Sequence, residues 1–473
     1  MMNASVKFSQ LVFYSRPWEV KLHLKLANRL KPLLPGVEIK FVSMFIKTVE
    51  VCKENGIECS YLPDHLADCD DSHDSRLLAD IDREVWDGFG TGLNAILNGE
   101  RFLPGNQEEI RSFLIRHVRV ISDLVQPGTL SISGMYDHFI YCLGGALANS
   151  RGGMHLAFVG CGVPGGRVIP LKSPSSIWPT RDPGRHPVDM DTVASDIRHK
   201  MASQRIEYMR ELDSEFKDKS KDFTIPFLAQ RYFRRRKYMA HDYTHGSYFA
   251  IKNPNYLESF VEKSGKLLPS KAERYFDIDS IEEIEENSGI YVALHMEPES
   301  TLLMYSPWFN NQLEFIRMLS VSMPSSYRIY VKENPKMVGV RNSSYYEELR
   351  GMPGVHIVNH EIESSMLTDR TLLTASIAGT VIAEAFLLDK PSLCYGNPPI
   401  SELATFSLYE NSISDMREFL YRVCDGSGNT VLPEQETKRK MFYSWVDKSF
   451  PACTVSVFED DGELHVPYTC LLY

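Results

Sequence analysis

Between residues 290 and 396, short apolar runs alternate with segments of helical spacing, and few folds accept that rhythm. The runs at 290–295, 327–332, 355–358, 370–374 and 392–395 read as strands. Residues 311–321, 345–350, 363–368 and 380–388 lie between them with apolar residues at helical intervals. This strict alternation predicts a parallel sheet with helices on both faces and right-handed crossovers. A looser version opens the chain. Strands are expected at 11–14, 39–45, 59–62, 129–133 and 156–159, and helices at 19–34, 47–55, 107–124 and 135–149.

A chain of 473 residues is too long for one compact core. The change of texture at both ends of 179–285, polar and helical in pattern, divides it into a first α/β domain (1–178), a helical insertion or connector (179–285), a second α/β domain (286–425) and a C-terminal helix and hairpin (426–473). The formal net charge of −11 excludes bulk binding of nucleic acid. The one dense basic run, RYFRRRKYM, carries Arg231, Arg234, Arg235, Arg236 and Lys237 among aromatic rings. It reads either as a solvated helix face or as a contact for an anionic membrane surface. Nine cysteines without a Cys-x-x-Cys pair argue against a zinc ribbon or a disulfide framework and fit a reducing cytoplasm. No run approaches the ~20 apolar residues of a membrane span. The opening MMNASVKFSQLVFYS reads as a first strand, without the apolar core of a signal peptide. The expectation is a cytoplasmic protein, peripheral at most at the inner membrane.

In open α/β sheets, ligands bind beyond the carboxyl ends of the strands. In the second domain those positions hold His295, Glu297, Pro298 and Glu299, then Lys332, Glu333, Asn334 and Pro335 with Arg341 following, then Ser376 to Thr380. Unpaired amides at a helix start attract anions, and small residues let an anion approach the backbone. Ala378, Gly379 and Thr380 are therefore read as a phosphate cradle. Glu384, one turn further along, is placed to accept two ribose hydroxyls. Plainer readings stand beside these: a packing corner at Gly379, a helix-dipole interaction for Glu384, a structural His295, and a solvent-exposed pair at Lys332 and Glu333. In the first domain, Asp137 with His138 is the favoured acid/base pair, Asp64 with His65 is an alternative, and Asp87 is weaker. No Asp-x-Asp motif is placed to hold a metal, so metal-independent chemistry is expected.

Two doubly wound domains in tandem match the GT-B type of nucleotide-sugar enzyme, with its cleft between two Rossmann-like domains. The run ALHMEPES, YRIYVKENP, YYEEL, GVHIVN and TASIAGTVIAEAFLLDKPSLCYG resembles the bacterial capsule polysaccharide biosynthesis and export family. A fainter likeness reaches DHFIYCLGGALANSRGGMHLAFVG and Arg167. The resemblance implies a glycosyltransferase that moves Kdo or a related acidic sugar from a nucleotide-activated donor, CMP-linked in the Kdo case, to a capsule or lipid-linked glycan. It implies a nucleotide site built from His295, Glu297, Lys332, Glu333, Asn334, Ser376, Gly379, Thr380 and Glu384, and no separate cofactor. Members usually carry His-Pro where this chain has Asn334-Pro335, and Gln-Pro where it has Glu297-Pro298. Two rivals stay open: a GT-B-fold sugar-nucleotide epimerase or CDP-alditol phosphotransferase, and an assembly subunit without turnover, which Asn334 makes plausible.

Overall fold

The computed structural model describes residues 8–17, 19–100, 106–134, 136, 138–160, 167–174, 176–177, 189–195, 274–297, 299–335, 337, 341, 343–426, 432–448 and 450–451. The basic run, most of the connector and the expected C-terminal hairpin lie outside them.

The first sheet contains β1 (Gln10–Tyr14), β2 (Glu38–Ser43), β3 (Cys59–Tyr61), β4 (Thr129–Ser133), β5 (Met154–Gly160), β6 (Arg167–Ser173) and β7 (Ser176–Ile177). The second contains β8 (Gly289–Ala293), β9 (Arg328–Lys332), β10 (Val355–Val358), β11 (Leu373–Ser376), β12 (Ser392–Cys394) and β13 (Phe406–Ser407). β14 (Phe450–Pro451) returns to the first sheet and pairs antiparallel with β6. The second sheet runs β10-β9-β8-β11-β12-β13, all parallel. The first runs β14-β6-β5-β4-β1-β2-β3, parallel from β5 through β3. In both, the first and fourth strands of the unit lie side by side and the winding reverses between them. This is the doubly wound order that opens a crevice at the reversal. The two α/β domains expected from the sequence are present.

The chemistry of the strands explains their place. β1 and β4 at the centre are buried along their whole length, as a strand covered by helices on both faces must be. Helix Gln107–Leu124 coincides with its expected bounds and begins where Asn106 Oδ1 accepts the Glu109 amide at 2.9 Å. Helix Ser75–Phe89 goes unassigned from the sequence. Asp74 caps it through the Leu77 amide, and it ends at Gly90, whose φ of 70° suits glycine. The strand expected at 370–374 starts three residues later: Arg370 completes helix Ser364–Arg370, and β11 begins at Leu373. The run 135–149 starts its helix only at Phe139, so His138 falls at the N-cap.

The units share one apolar core. Met304, Ile382, Phe386 and Leu387 of the second pack with Ile96, Leu97, Phe139 and Leu143 of the first. Phe442, Trp445 and Val446 of helix Gln435–Val446 join them. With β14 on the first sheet, the chain after the second unit ties the two together. The approach of helices Ser75–Phe89 and Phe139–Ser150 depends on Gly88, where an added Cβ would sit 2.1 Å from the Ala146 carbonyl oxygen. Gly88→Ala should therefore lower unfolding stability by about 1–3 kcal/mol in urea titration. Gly351→Ala, whose Cβ would meet nothing closer than 3.4 Å, serves as the near-neutral comparison.

Candidate functional site

Adjacent strand ends bring their following loops together. β8 leads into His295 and β11 ends at Ser376, and the two strands are paired. His295 Nε2 lies 3.1 Å from Ser376 Oγ and accepts the Ala378 amide at 3.1 Å. An Nε2 that accepts places the ring proton on Nδ1, which lies 3.5 Å from Glu299 Oε2. Ser376 Oγ also accepts the Gly379 amide at 3.1 Å. A Cβ at Gly379 would fall 2.6 Å from that hydroxyl, so glycine here answers a packing need. Two amides of the expected phosphate cradle are thus already engaged by side chains. Thr380 is exposed and starts the short helix Val381–Leu387, with Glu384 half-buried in its first turn.

A second group gathers on Arg341, whose side chain is 3% exposed. Its Nε donates to Glu333 Oε2 at 2.7 Å, and its other nitrogens donate to Glu297 and to the His295 carbonyl. The Tyr345 ring lies 4.4 Å from the guanidinium carbon. Glu333 also accepts from the Tyr346 hydroxyl at 3.1 Å and from the Asn334 amide at 2.7 Å. Burial pushes the Glu333 carboxyl above the usual range, and the Arg341 charge opposes that shift. Glu297 accepts from Gln312 Nε2 at 2.6 Å, and Gln312 Oε1 accepts the His295 amide at 2.6 Å. The acid at 297 is therefore compensated by Arg341.

Lys332 and Glu333 are not a solvent-exposed pair. Both are buried, and they serve different neighbours. Lys332 Nζ donates to Ser364 Oγ at 3.1 Å, and the Tyr291 hydroxyl donates to the same oxygen at 3.1 Å. Burial lowers the Lys332 pKa to about 8, with Glu363 and Glu384 pulling the other way. Among the nine expected nucleotide-site residues, His295, Glu297, Glu333, Asn334, Ser376 and Gly379 thus form one connected network. Lys332 and Glu384 belong to a neighbouring electrostatic group, and Thr380 stands at the exposed corner.

In the first unit, His138 is buried with Nδ1 3.7 Å from Glu100 Oε2. Glu100 also accepts the Phe139 amide at 2.8 Å, satisfying the helix start. Asp137 lies outside the described residues. Asp64, His65 and Asp87 sit on exposed helix faces. At this sheet's own reversal, Arg16 and Glu19 form a buried pair after β1, against Gly134 after β4. The strand-end rule applied to β1 would have found Arg16. Glu100 sits in a loop far from any strand end in sequence, and no local signal marks it. Ser364 and Gln312 are ordinary helix-start residues until the sheet brings Lys332 and His295 to them. Among the described residues no group of three His, Cys, Asp or Glu side chains is placed to hold a metal ion, and no helix is long and apolar enough to cross a membrane.

No family model and no curated protein matches the chain. Among solved structures, it is similar to KpsC of Thermosulfurimonas dismutans, a beta Kdo 2,7 transferase. That match has 10% identity, covers 84% of this chain and 83% of that one, and has a TM-score of 0.31. It is similar to CalG4, the calicheamicin glycosyltransferase, at 13% identity over 96% and 98% with a TM-score of 0.29. A putative UDP-N-acetylglucosamine 2-epimerase from Listeria monocytogenes matches at 12% identity over 96% and 94%, with a TM-score of 0.26. At TM-scores this low, the likenesses carry no weight for function.

Removing the central cation should expose how the network is balanced. Arg341→Met leaves Glu333 buried without its partner and should cost about 3–5 kcal/mol in chemical denaturation, with part regained on adding Glu333→Gln. Lys332 contributes a pH dependence of the opposite kind. Its folded pKa lies below the ordinary 10.5, so between about pH 8 and 10.5 the unfolded chain holds more protons and stability rises with pH. Below pH 8 the buried charge exerts its full cost. Stability of wild type relative to Lys332→Met should therefore increase by about 3 kcal/mol from pH 7 to 10.5, measured by urea unfolding across the series.

Proposed function

We propose that this chain transfers a glycosyl group from a nucleotide-activated sugar to a surface polysaccharide or lipid-linked glycan. The observation that carries the reading is the gathering of a buried lysine, Lys332, and the half-buried Glu384 beside the reversal point of the second sheet. A nucleotide sugar offers an anionic phosphate and a ribose diol, and it needs a positive charge for one and an acceptor for the other. In this reading Lys332 counters the phosphate, the backbone at Gly379 and Thr380 borders it, and Glu384 accepts the ribose hydroxyls. His295 and Ser376 hold the corner in shape, while Arg341 keeps Glu297, Glu333 and Asn334 rigid behind it.

The first unit would present the acceptor. A base there takes the proton of the attacking hydroxyl while the bond from sugar to phosphate breaks, and the leaving phosphate carries off the bonding electrons. His138, held against Glu100, together with Asp137, is our candidate for that base. No metal or separate cofactor enters this scheme. Kdo or a related acidic sugar, carried on CMP, is the donor we favour, and the basic run from Arg231 to Lys237 would meet the anionic surface that carries the acceptor. A second reading, an assembly subunit without turnover, is favoured by the engagement of the Ala378 and Gly379 amides by His295 and Ser376, which withdraws two donors from a donor phosphate.

Thermal-shift screening with CMP-, UDP-, GDP- and CDP-linked sugars, followed by product analysis, tests both readings. Stabilisation with transfer supports the first, and stabilisation without transfer the second. No shift with any donor overturns the first. Glu384→Ala should weaken nucleotide binding by about 1.5–3 kcal/mol, the worth of a charge-assisted hydrogen bond, with an unchanged circular dichroism spectrum. Equal affinity in calorimetry would remove Glu384 from the site. A phosphate beside Lys332 favours its charged form. Nucleotide affinity should then fall above about pH 8, approaching tenfold per pH unit, with proton uptake on binding.

A further inference from the structure

Away from the Arg341 network, the two units flank a small recess of about 90 Å³. Phe89, Thr91 and Pro174 line it from the first unit, and Ser306, Trp308 and Asn397 from the second; Phe309 and Tyr409 complete its aromatic wall. Trp308 is 67% exposed and Tyr409 46% exposed, unusual for rings of this size. They are not loose. Phe309 meets Tyr409 edge-on at 6.0 Å and Tyr395 edge-on at 4.8 Å, and Phe315 stacks on Tyr395 at 4.7 Å, so the core holds the wall from behind.

The polar atoms beside these rings are neutral. Asn397 Oδ1 accepts from Ser401 Oγ at 3.4 Å, and its amide hydrogens have no partner among the described residues. Ser306 is 1% exposed, and its Oγ likewise has no partner among the described residues. None of the described residues lining the recess carries a charge. A nucleotide's phosphates would find no counter-charge here. A neutral pyranose ring fits better, because its C–H face packs on an aromatic plane while its rim of hydroxyls takes amide and hydroxyl partners. We infer that this recess is a second carbohydrate subsite, which binds a neutral pyranose of the acceptor glycan with Trp308 as its stacking platform. As an acceptor subsite it rests on the glycosyl-transfer reading, but the recess's fitness for a sugar ring does not.

The full chain, fluorescently labelled, is applied to an array of oligosaccharides built from neutral hexoses and N-acetylhexosamines, with uronic-acid and Kdo oligosaccharides as the charged comparison. Wild type should retain at least one neutral glycan. Trp308→Ala should bind it about tenfold or more weakly, as loss of a central aromatic anchor does, and Trp308→Phe should recover part of the affinity. The exposure of Trp308 leaves folding intact, which an unchanged thermal melt confirms. Nucleotide-sugar thermal shifts should be the same in wild type and Trp308→Ala. Retention of no glycan, retention of charged glycans alone, or equal binding by Trp308→Ala overturns the inference. Glycan capture without any nucleotide shift would instead overturn the transferase reading and leave a carbohydrate-binding recess standing.

Discussion

The parallel pairing of first strand with fourth, β8 beside β11 and β1 beside β4, is the constraint from which the rest of the molecule follows. Loops leaving neighbouring strands at one edge must meet, and where the winding reverses no crossover helix covers them. In the second unit the meeting residues are His295 and Ser376. In the first they are Arg16, Glu19 and Gly134. Each pairing is dictated by apolar strands far apart in sequence, and each places polar groups where water is largely excluded.

Burial then sets the chemistry of those groups. A carboxylate such as Glu333 cannot remain charged in an apolar setting without a partner. Arg341 supplies one to Glu333 and another to Glu297, and its planar guanidinium reaches both while also reaching the His295 carbonyl. The result is a rigid ionic frame. Lys332, one residue before Glu333, points its amine to Ser364 instead. Adjacent residues on a strand face opposite sides of the sheet, so two neighbouring charges serve separate surroundings. That separation leaves one face braced and the other with a lysine poised near neutrality.

The union of the two units has the same logic. Apolar side chains of helix Val381–Leu387 and of helix Phe139–Ser150 fall into one core together with Met304 and Trp445. A recess remains where the contact ends, walled by Trp308 and Tyr409, and its neutral lining contrasts with the charged edge of the second sheet.

The sequence by itself determined the alternation of elements, and through it the doubly wound sheets, because apolar periodicity is a local property that survives without tertiary context. It also singled out Lys332, Glu333, Ser376 and Gly379, since strand-end positions can be counted along the chain. It could not determine partners. Ala378 and Gly379 looked like open amides, yet His295 and Ser376 occupy them because β8 and β11 are neighbours. Glu297 looked like an extra negative charge, yet the structure brings Arg341 to it. Glu100 carried no mark at all; only the packing of the helix at Phe139 gives its carboxylate an amide to cap and a histidine beside it. Hydrogen bonds and ion pairs act over a few ångströms in space, not along the chain, so which charge is neutralised by which partner was decided by the tertiary structure alone.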